Sequence, residues 1–368
     1  MALAHGFDLA RLTLQFVVEG TFLDAVPHGS GHINQTYRVR CVAAGTVLSY
    51  LLQRINTDVF QRPDLLMQNV ERVTAHIAAK LTGEHDAARR VATLVRTMDG
   101  CTWHQHPDGS CWRMFHFLAD TASFDAIETA AQAFRAAQAF GHFQHLLSDL
   151  PAPRLHETIP DFHDTPLRFR ALDGAIAADV ANRAALARDE IEWLLAQRST
   201  AHELLNAGLP ERVTHNDTKL NNVLFDAATG EALCVIDLDT VMPGLALYDF
   251  GDMVRTATSP TAEDEQDLSR VGVQLPLFEA LVKGYLSSAA AFLTPAEKQL
   301  LPVAGKVIAY EQAVRFLTDY LAGDVYYKVT RPEQNLQRCR TQLRLLQSMD
   351  QQQQALHRIV THAAAEPQ

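Results

Sequence analysis

The chain is short of paired cysteines and of positive charge. Its five cysteines, Cys41, Cys101, Cys111, Cys234 and Cys339, are odd in number and form no CxxC. A disulfide framework is therefore not expected, and the pattern reads as buried free thiols in a reducing compartment. Basic residues number 32 against 43 acidic ones, a formal net charge of −11. That speaks against a general affinity for nucleic-acid backbones or anionic membranes, while leaving room for an anionic small substrate held by local groups or a metal. No apolar run approaches the roughly 18 residues of a spanning helix. Asp8, Arg11 and Glu19 interrupt the first stretch of chain, where the apolar core of a secretory signal is missing. Gly and Pro, 18 and 15 in 368 residues, are ordinary, and 47% of residues are apolar, which excludes collagen-like and disordered chains. What is left is a soluble cytoplasmic protein of enzyme size, with two domains or one bilobed one.

Two grammars divide what is there. Up to about residue 119, apolar and polar residues alternate. "FVVEG" and "TYRVRCVAAGTVLSYLLQRI" read as strands joined by the turn "PHGSGHINQTY", and "VATLVRTM" and "CWRMFHFL" read as later strands. One helix is expected over Asp64–Leu81, where Leu65, Leu66, Asn69, Val73 and Ile77 recur at threes and fours. After residue 120 helical periods dominate. A helix is expected over Asp125–Leu147, with Asp125 and Glu128 at capping-box spacing, and another over Ala175–Leu205. A short β island follows over 211–241. The rest is mostly helical, including a strong start at Thr294-Pro295-Ala296-Glu297. The expected class is α+β: a small β-rich lobe with one main helix, residues 1–119, and a larger, mostly helical lobe, residues 120–368.

Chemistry concentrates in "RVTHNDTKLNNVLFDAATGEALCVIDLDTVMPGLALYDFGD". Two short strands are expected to bring Asp217, Asn222 and Asp237 near one another. Two carboxylates and an amide oxygen make a hard, oxygen-only donor set of the kind Mg²⁺ uses alongside waters and substrate phosphates. Asp239 has two readings, a contact to a second Mg²⁺ or the start of the following loop. Asp249-Phe250-Gly251 spells a metal motif, but the loop "MPGLALY" precedes it where Asp237 follows the strand "ALCVI". Asp249 is thus expected to be a buried brace or a helix cap. The pairs His104/His106 and His142/His145 lack any zinc framework around them.

On these motifs the sequence resembles the aminoglycoside phosphotransferase and choline kinase superfamily. "HNDTKLNN" is similar to its His-x-Asp-x-Lys-x-x-Asn loop and "VIDLD" to its metal segment. Within that superfamily "GSGHINQTY", "LLQRINTDVF", "IDLDTVMPGLALYDFGD" and "VRFLTDYLAGDVYY" resemble the kinases that phosphorylate the anomeric hydroxyl of N-acetylhexosamines (GlcNAc or GalNAc). The likeness runs from about residue 25 to 330. It implies the bilobal protein-kinase-like fold, ATP and Mg as cofactors, Asp217 as catalytic base, Lys219 beside the transferred phosphoryl group, and Asn222 and Asp237 on the metal.

Small residues at Gly29-Ser30-Gly31 suit close backbone approach to phosphates. The next strand carries Gln53 and Arg54 in place of the usual lysine, and alternation lets only one of them face the nucleotide. Glu71 is the candidate ion-pair partner of that basic residue. Adenine is expected against the Met114–Leu118 segment, which contains Phe115 and Phe117. The resemblance carries acceptor binding onto His32, Asn34, Arg315 and Tyr326. Two competing readings stand: a kinase of the same superfamily with another acceptor (hexose, amino alcohol or aminoglycoside), and a silent nucleotide-binding module. Retention of Asp217, Lys219, Asn222 and Asp237 together argues against the latter. A protein partner is not implied.

Overall fold

The computed structural model describes residues 3–4, 6–29 and 33–366. The chain forms two compact units. One comprises Met1–Ala122, Asp149–Pro160 and Phe225–Met242; the other comprises Ser123–Ser148, Asp161–Leu224 and Pro243–Gln368.

The first unit is built on an antiparallel sheet. Strand β1 (Thr21–Pro27) pairs with β2 (Gln35–Ala43), β2 with β3 (Thr46–Ile55), β3 with β4 (Cys111–His116), and β4 with the short strand His104–Gln105. Ala44 and Gly45 close the β2–β3 hairpin, both at positive φ, the geometry that matches the twist of a two-residue turn. Side chains alternate across the sheet. Tyr37, Val39, Cys41, Tyr50, Leu52, Trp112 and Met114 fall on one face and form a buried core with Leu9, Leu12, Phe16 and Val95. The register Thr36↔Gln53↔Arg113 and Arg38↔Leu51↔Phe115 defines the other face. Helix α1 (Pro63–Lys80) begins with Pro63 in its first turn and buries Leu66, Met67, Val70, Val73 and Ile77. It matches the expected period, and it packs on the turn at 238–240.

Two expected strands are absent. "FVVEG" contributes only an isolated bridge from Phe16 to Thr97, and "VATLVRTM" only that bridge and one from Leu94 to Phe115. Gly20, at φ +87°, turns the chain so tightly against the Val42 carbonyl that pairing starts at Thr21. Four of the cysteines are buried as expected, but Cys101 is exposed.

The second unit is helical. Helix α2 (Ala130–Leu147) starts five residues later than its sequence pattern suggests. Thr129 and Gln132, rather than Asp125 and Glu128, make the capping box. The expected helix over 175–205 is broken. A helix at Thr165–Ala178 ends at Asp179 in a left-handed conformation, and only Arg188–Ala196 resumes as α-helix. Asp179 Oδ1 accepts the Arg183 and Ala184 amides, which fixes the break. Helix α3 (Ala246–Ala257) lies against α4 (Pro295–Leu321), whose start carries the expected Thr294/Glu297 capping box. The segment after α4 divides into helices Gln334–Gln351 and Gln353–Ala365. No helix among the described residues is long and apolar enough to cross a membrane.

Two glycines let α3 and α4 approach. A Cβ on Gly251 would sit 2.5 Å from the Ala304 carbonyl oxygen, and one on Gly305 would collide with Val254. Gly251 belongs to the Asp-Phe-Gly triplet, so this glycine serves helix packing. Gly251→Ala is expected to cost about 1–3 kcal/mol through overpacking. Gly174→Ala, which meets nothing within 4 Å in its helix, should stabilise by about 0.5–1 kcal/mol. Urea midpoints of the two variants check the pair.

Candidate active site

Strand Arg212–Thr214 leads into the segment His215–Asn222, whose shape depends on Asp249 in the first turn of α3. The Asp249 carboxylate accepts the backbone N–H of His215 at 2.8 Å, that of Asn216 at 2.7 Å and the Gln144 side-chain amide at 2.5 Å. Gln144 is itself oriented by the Tyr285 hydroxyl, which donates to its Oε1 at 2.5 Å. Thr218 Oγ1 donates to the Asp249 carbonyl at 2.6 Å. Burial pushes the Asp249 carboxyl above its ordinary value against the pull of His215 and the two amides. His215 is fully buried between the ring edges of Phe140 and Phe143. Asn216 takes a left-handed conformation, φ 64°. These constraints turn Asp217 outward, with its side chain 27% exposed.

Asp217 Oδ1 pairs with Lys219 Nζ at 2.7 Å. The Asn222 amide nitrogen donates to the Asp217 carbonyl at 2.8 Å and to its Oδ2 at 3.1 Å. Burial opposes the charge on Asp217, but Lys219, with help from His215 and Arg255, overrides it and holds the carboxyl below its ordinary 3.8. The Asp217 charge in turn raises Lys219 above 10.5. Asp217, Lys219 and Asn222 therefore form one contiguous cluster.

In the β unit, Asp237 ends the strand segment at φ 60° and heads a single 3₁₀ turn, Leu238–Thr240. Asp239 lies inside that turn and is not an open metal ligand. Its Oδ1 is paired with Arg113, the two side chains being 2% and 3% exposed. Its Oδ2 accepts from Asn34 at 2.6 Å, and its carbonyl accepts from Thr158 at 2.7 Å. With a donor on each oxygen, the second-metal reading of Asp239 gives way to that of a brace. Asn69 of α1 extends the brace by donating to the carbonyls of His156 and Val241. Asn34 is drawn into the same network, since its Oδ1 also accepts the Asn56 amide.

Sequence reasoning missed Arg113. The visible signal was a basic residue inside the apolar run "CWRMFHFL", at the parity opposite Trp112 and Met114. Register also puts Gln53 and Arg54 on opposite faces of the sheet. Gln53 stands beside Arg113 and accepts from its Nε at 3.0 Å. Arg54 points to the core face, over the Phe7 ring and toward Gln35. Glu71 does not pair with Arg54; it pairs with Arg96, both half exposed. Phe115 shares the Gln53 face and lies under the Arg113 guanidinium, while Phe117 is covered by Arg38 at 4.3 Å and edged by His28. Gly29, at φ 78°, has open space where a Cβ would be. Ser30, Gly31 and His32 lie outside the described residues.

On α4, Arg315 is boxed by the rings of Phe162, Tyr327 and Tyr326 at 5.3, 5.7 and 6.0 Å. The one carboxylate within 4 Å among the described residues is Glu311 at 3.9 Å, and Glu311 is already bound by His163 and Thr165. Tyr326 is 62% exposed. A second buried guanidinium, Arg255, pairs with Asp252 and Glu263. Its positive charge favours the ionised form of Asp217 and opposes that of Arg315.

Taken singly, Asn222 in the helical unit turns its nitrogen to Asp217 and so its oxygen away from it, and Asp237 in the β unit carries a carboxylate; both are hard oxygen donors of the kind Mg²⁺ takes. No three His, Cys, Asp or Glu residues among those described gather closely enough to hold a metal.

An antiparallel β unit and a helical unit with this Asp-x-Lys-x-x-Asn cluster are the parts of a phosphotransferase. The profile described as the phosphotransferase enzyme family matches residues 24–279, well over half the chain, and the chain belongs to that family. Solved structures share the fold at low identity. A microcompartment-associated aminopropanol kinase has 18% identity and a TM-score of 0.59, covering 95% of this chain and 98% of its own. An aminoglycoside phosphotransferase from Alicyclobacillus acidocaldarius has 13% and 0.58, covering 93% of each. A choline kinase from Cryptosporidium parvum has 13% and 0.53, also covering 93% of each.

Two outcomes follow from the braces. Arg113→Met leaves the Asp239 charge buried and unpaired and should cost about 3–5 kcal/mol, much of it recovered in the Arg113→Met/Asp239→Leu double variant; chemical denaturation of the three proteins reads this. The Asp217 contribution to loop order is present above pH 3.8 and lost as pH falls through its lower folded value. That of Lys219 is present below 10.5 and lost as pH rises through its higher one. Hydrogen exchange, corrected for intrinsic rate, should therefore show flat protection of the loop between about pH 5 and 9.

Proposed function

We infer that the chain is an ATP- and Mg-dependent kinase that phosphorylates the anomeric hydroxyl of an N-acetylhexosamine, an N-acetylhexosamine 1-kinase. The reading assigns the nucleotide to the lobe of residues 1–119 and the acceptor and base to that of 120–368. Asp217 orients the acceptor hydroxyl and takes its proton as the phosphoryl group transfers. Lys219 keeps Asp217 ionised and adds positive charge beside the transferring group. Asn222 and Asp237 would hold Mg²⁺, which neutralises charge on the phosphates. Gln53, Phe115, Phe117 and the Gly29–Gly31 turn serve the nucleotide. Arg113, Asn34 and Asp239 hold the turn that Asp237 heads, and Arg315, Tyr326 and His32 serve the acceptor.

The observation that carries the acceptor class is Arg315. Its guanidinium is enclosed by rings with no carboxylate closer than 3.9 Å among the described residues. Such a site welcomes neutral hydroxyl and amide oxygens and repels an ammonium group. That favours an N-acetylated sugar over the amines handled by proteins of the same fold, such as the aminopropanol and choline kinases.

ADP release with Mg-ATP against GlcNAc, GalNAc, plain hexoses, choline and kanamycin tests the reading. Turnover is expected with an N-acetylhexosamine, with the phosphate on the anomeric carbon by ³¹P–¹H NMR. Turnover of choline or kanamycin alone would replace the acceptor class. Asp217→Asn should lose about 10²–10⁴ in kcat. Because the Asp217 carboxyl sits below 3.8, the acid limb of the kcat profile should stay absent down to about pH 5.

A further inference from the structure

The segment after α4 carries Tyr326 and Tyr327, two of the rings around Arg315, and it has little apolar burial of its own. Val325 and Tyr326 are among the most exposed large apolar side chains of the molecule. Its shape comes instead from one buried carboxylate in the last turn of α4. Asp319 Oδ1 accepts the backbone N–H of Val325 at 2.9 Å and of Tyr326 at 2.8 Å. Its Oδ2 accepts the N–H of Tyr327 at 2.9 Å and the Asn335 side-chain amide at 2.8 Å. Gly323 and Asp324 reverse the chain at positive φ. Asp324 is itself tied down by Arg183 at 2.6 Å and Asn335 at 3.0 Å. Three consecutive amides converging on one carboxylate is the arrangement by which backbone binds an anion; here the anion belongs to the chain and fixes the loop. The result reaches Arg315 through Tyr327, whose ring also packs on Phe316 and whose hydroxyl donates to Gln312.

We propose that Asp319 is a positioning residue for the acceptor: it holds the 325–327 backbone so that Tyr326 and Tyr327 wall Arg315 and keep its N–H groups directed at substrate oxygens. The proposal rests on the reading of Arg315 and Tyr326 as acceptor-side groups. In Asp319→Asn the amide keeps the shape but turns an NH₂ toward two of the four donors, so the loop loses half its anchor. Displacement of this kind weakens acceptor binding far more than nucleotide binding.

The test compares wild type, Asp319→Asn and the milder Asn335→Ala, with Gly20→Ala, strained at φ +87° and crowded by the Val42 carbonyl in the β unit, as a variant destabilised elsewhere. The acceptor KM should rise about 10- to 100-fold in Asp319→Asn and less in Asn335→Ala. The KM for ATP and kcat at saturating acceptor should stay within about threefold, and hydrogen-exchange protection at Val325–Tyr327 should fall. Gly20→Ala should lose stability without this split. An unchanged acceptor KM, or equal losses in acceptor KM, ATP KM and kcat in both loop variants, overturns the proposal. If Asp319→Asn does not fold, Asn335→Ala decides by the same split. If wild type turns over no member of the panel, the acceptor reading itself fails and the proposal falls with it.

Discussion

Much of the helical unit depends on a carboxylate that never meets solvent. Asp249 is fully buried, and burying a charge is costly unless donors surround it. Here the donors are the amides of His215 and Asn216 and the Gln144 side chain. Satisfying Asp249 therefore dictates the path of the 215–222 segment. That path turns Asp217 outward and brings Lys219 and Asn222 onto it. The same helix meets α4 through Gly251 and Gly305, and α4 carries Glu311, Arg315 and Asp319. One close helix contact thus fixes both the Asp217 cluster and the Arg315 box.

The β unit solves a similar problem with an ion pair. Arg113 projects from the sheet face opposite the apolar core and meets Asp239, both almost fully buried. Desolvation takes back much of what such a pair gains, so its value lies in geometry: breaking it exposes the cost of a lone buried charge. Asn34, Thr158 and Asn69 complete the bonding around the 238–241 segment. The turn headed by Asp237 in a left-handed conformation is thereby held by side chains from strand, helix and loop. The two units share a device, in which a buried acidic residue organises the backbone next to a less buried one.

Local pattern was enough for some elements and not for others. The α1 helix and the Thr294/Glu297 start could be read because periodicity and capping are properties of adjacent residues. The Asp217, Lys219 and Asn222 cluster could be read because its members lie within six positions of one another. The start of α2 at Ala130 and the break at Asp179 could not, since several Asp, Glu and Thr residues compete as caps and only packing selects among them. Glu71 and Arg54 were misassigned as partners because sequence distance says nothing about which side of a strand or helix a side chain occupies.

By itself the sequence determined the α+β class of fold and the buried role of Asp249 from short-range pattern, and the phosphotransferase loop from its resemblance to a known family. The tertiary structure alone decided that Gln53 and not Arg54 shares the Arg113 face, that Asp239 is a brace, and that Asp319 anchors the loop beside Arg315. Each of these depends on strand register or on which distant polar group meets a buried charge. The partner of a buried charge is set by the whole packed chain, and residues 126 positions apart, such as Arg113 and Asp239, carry no local mark of their pairing.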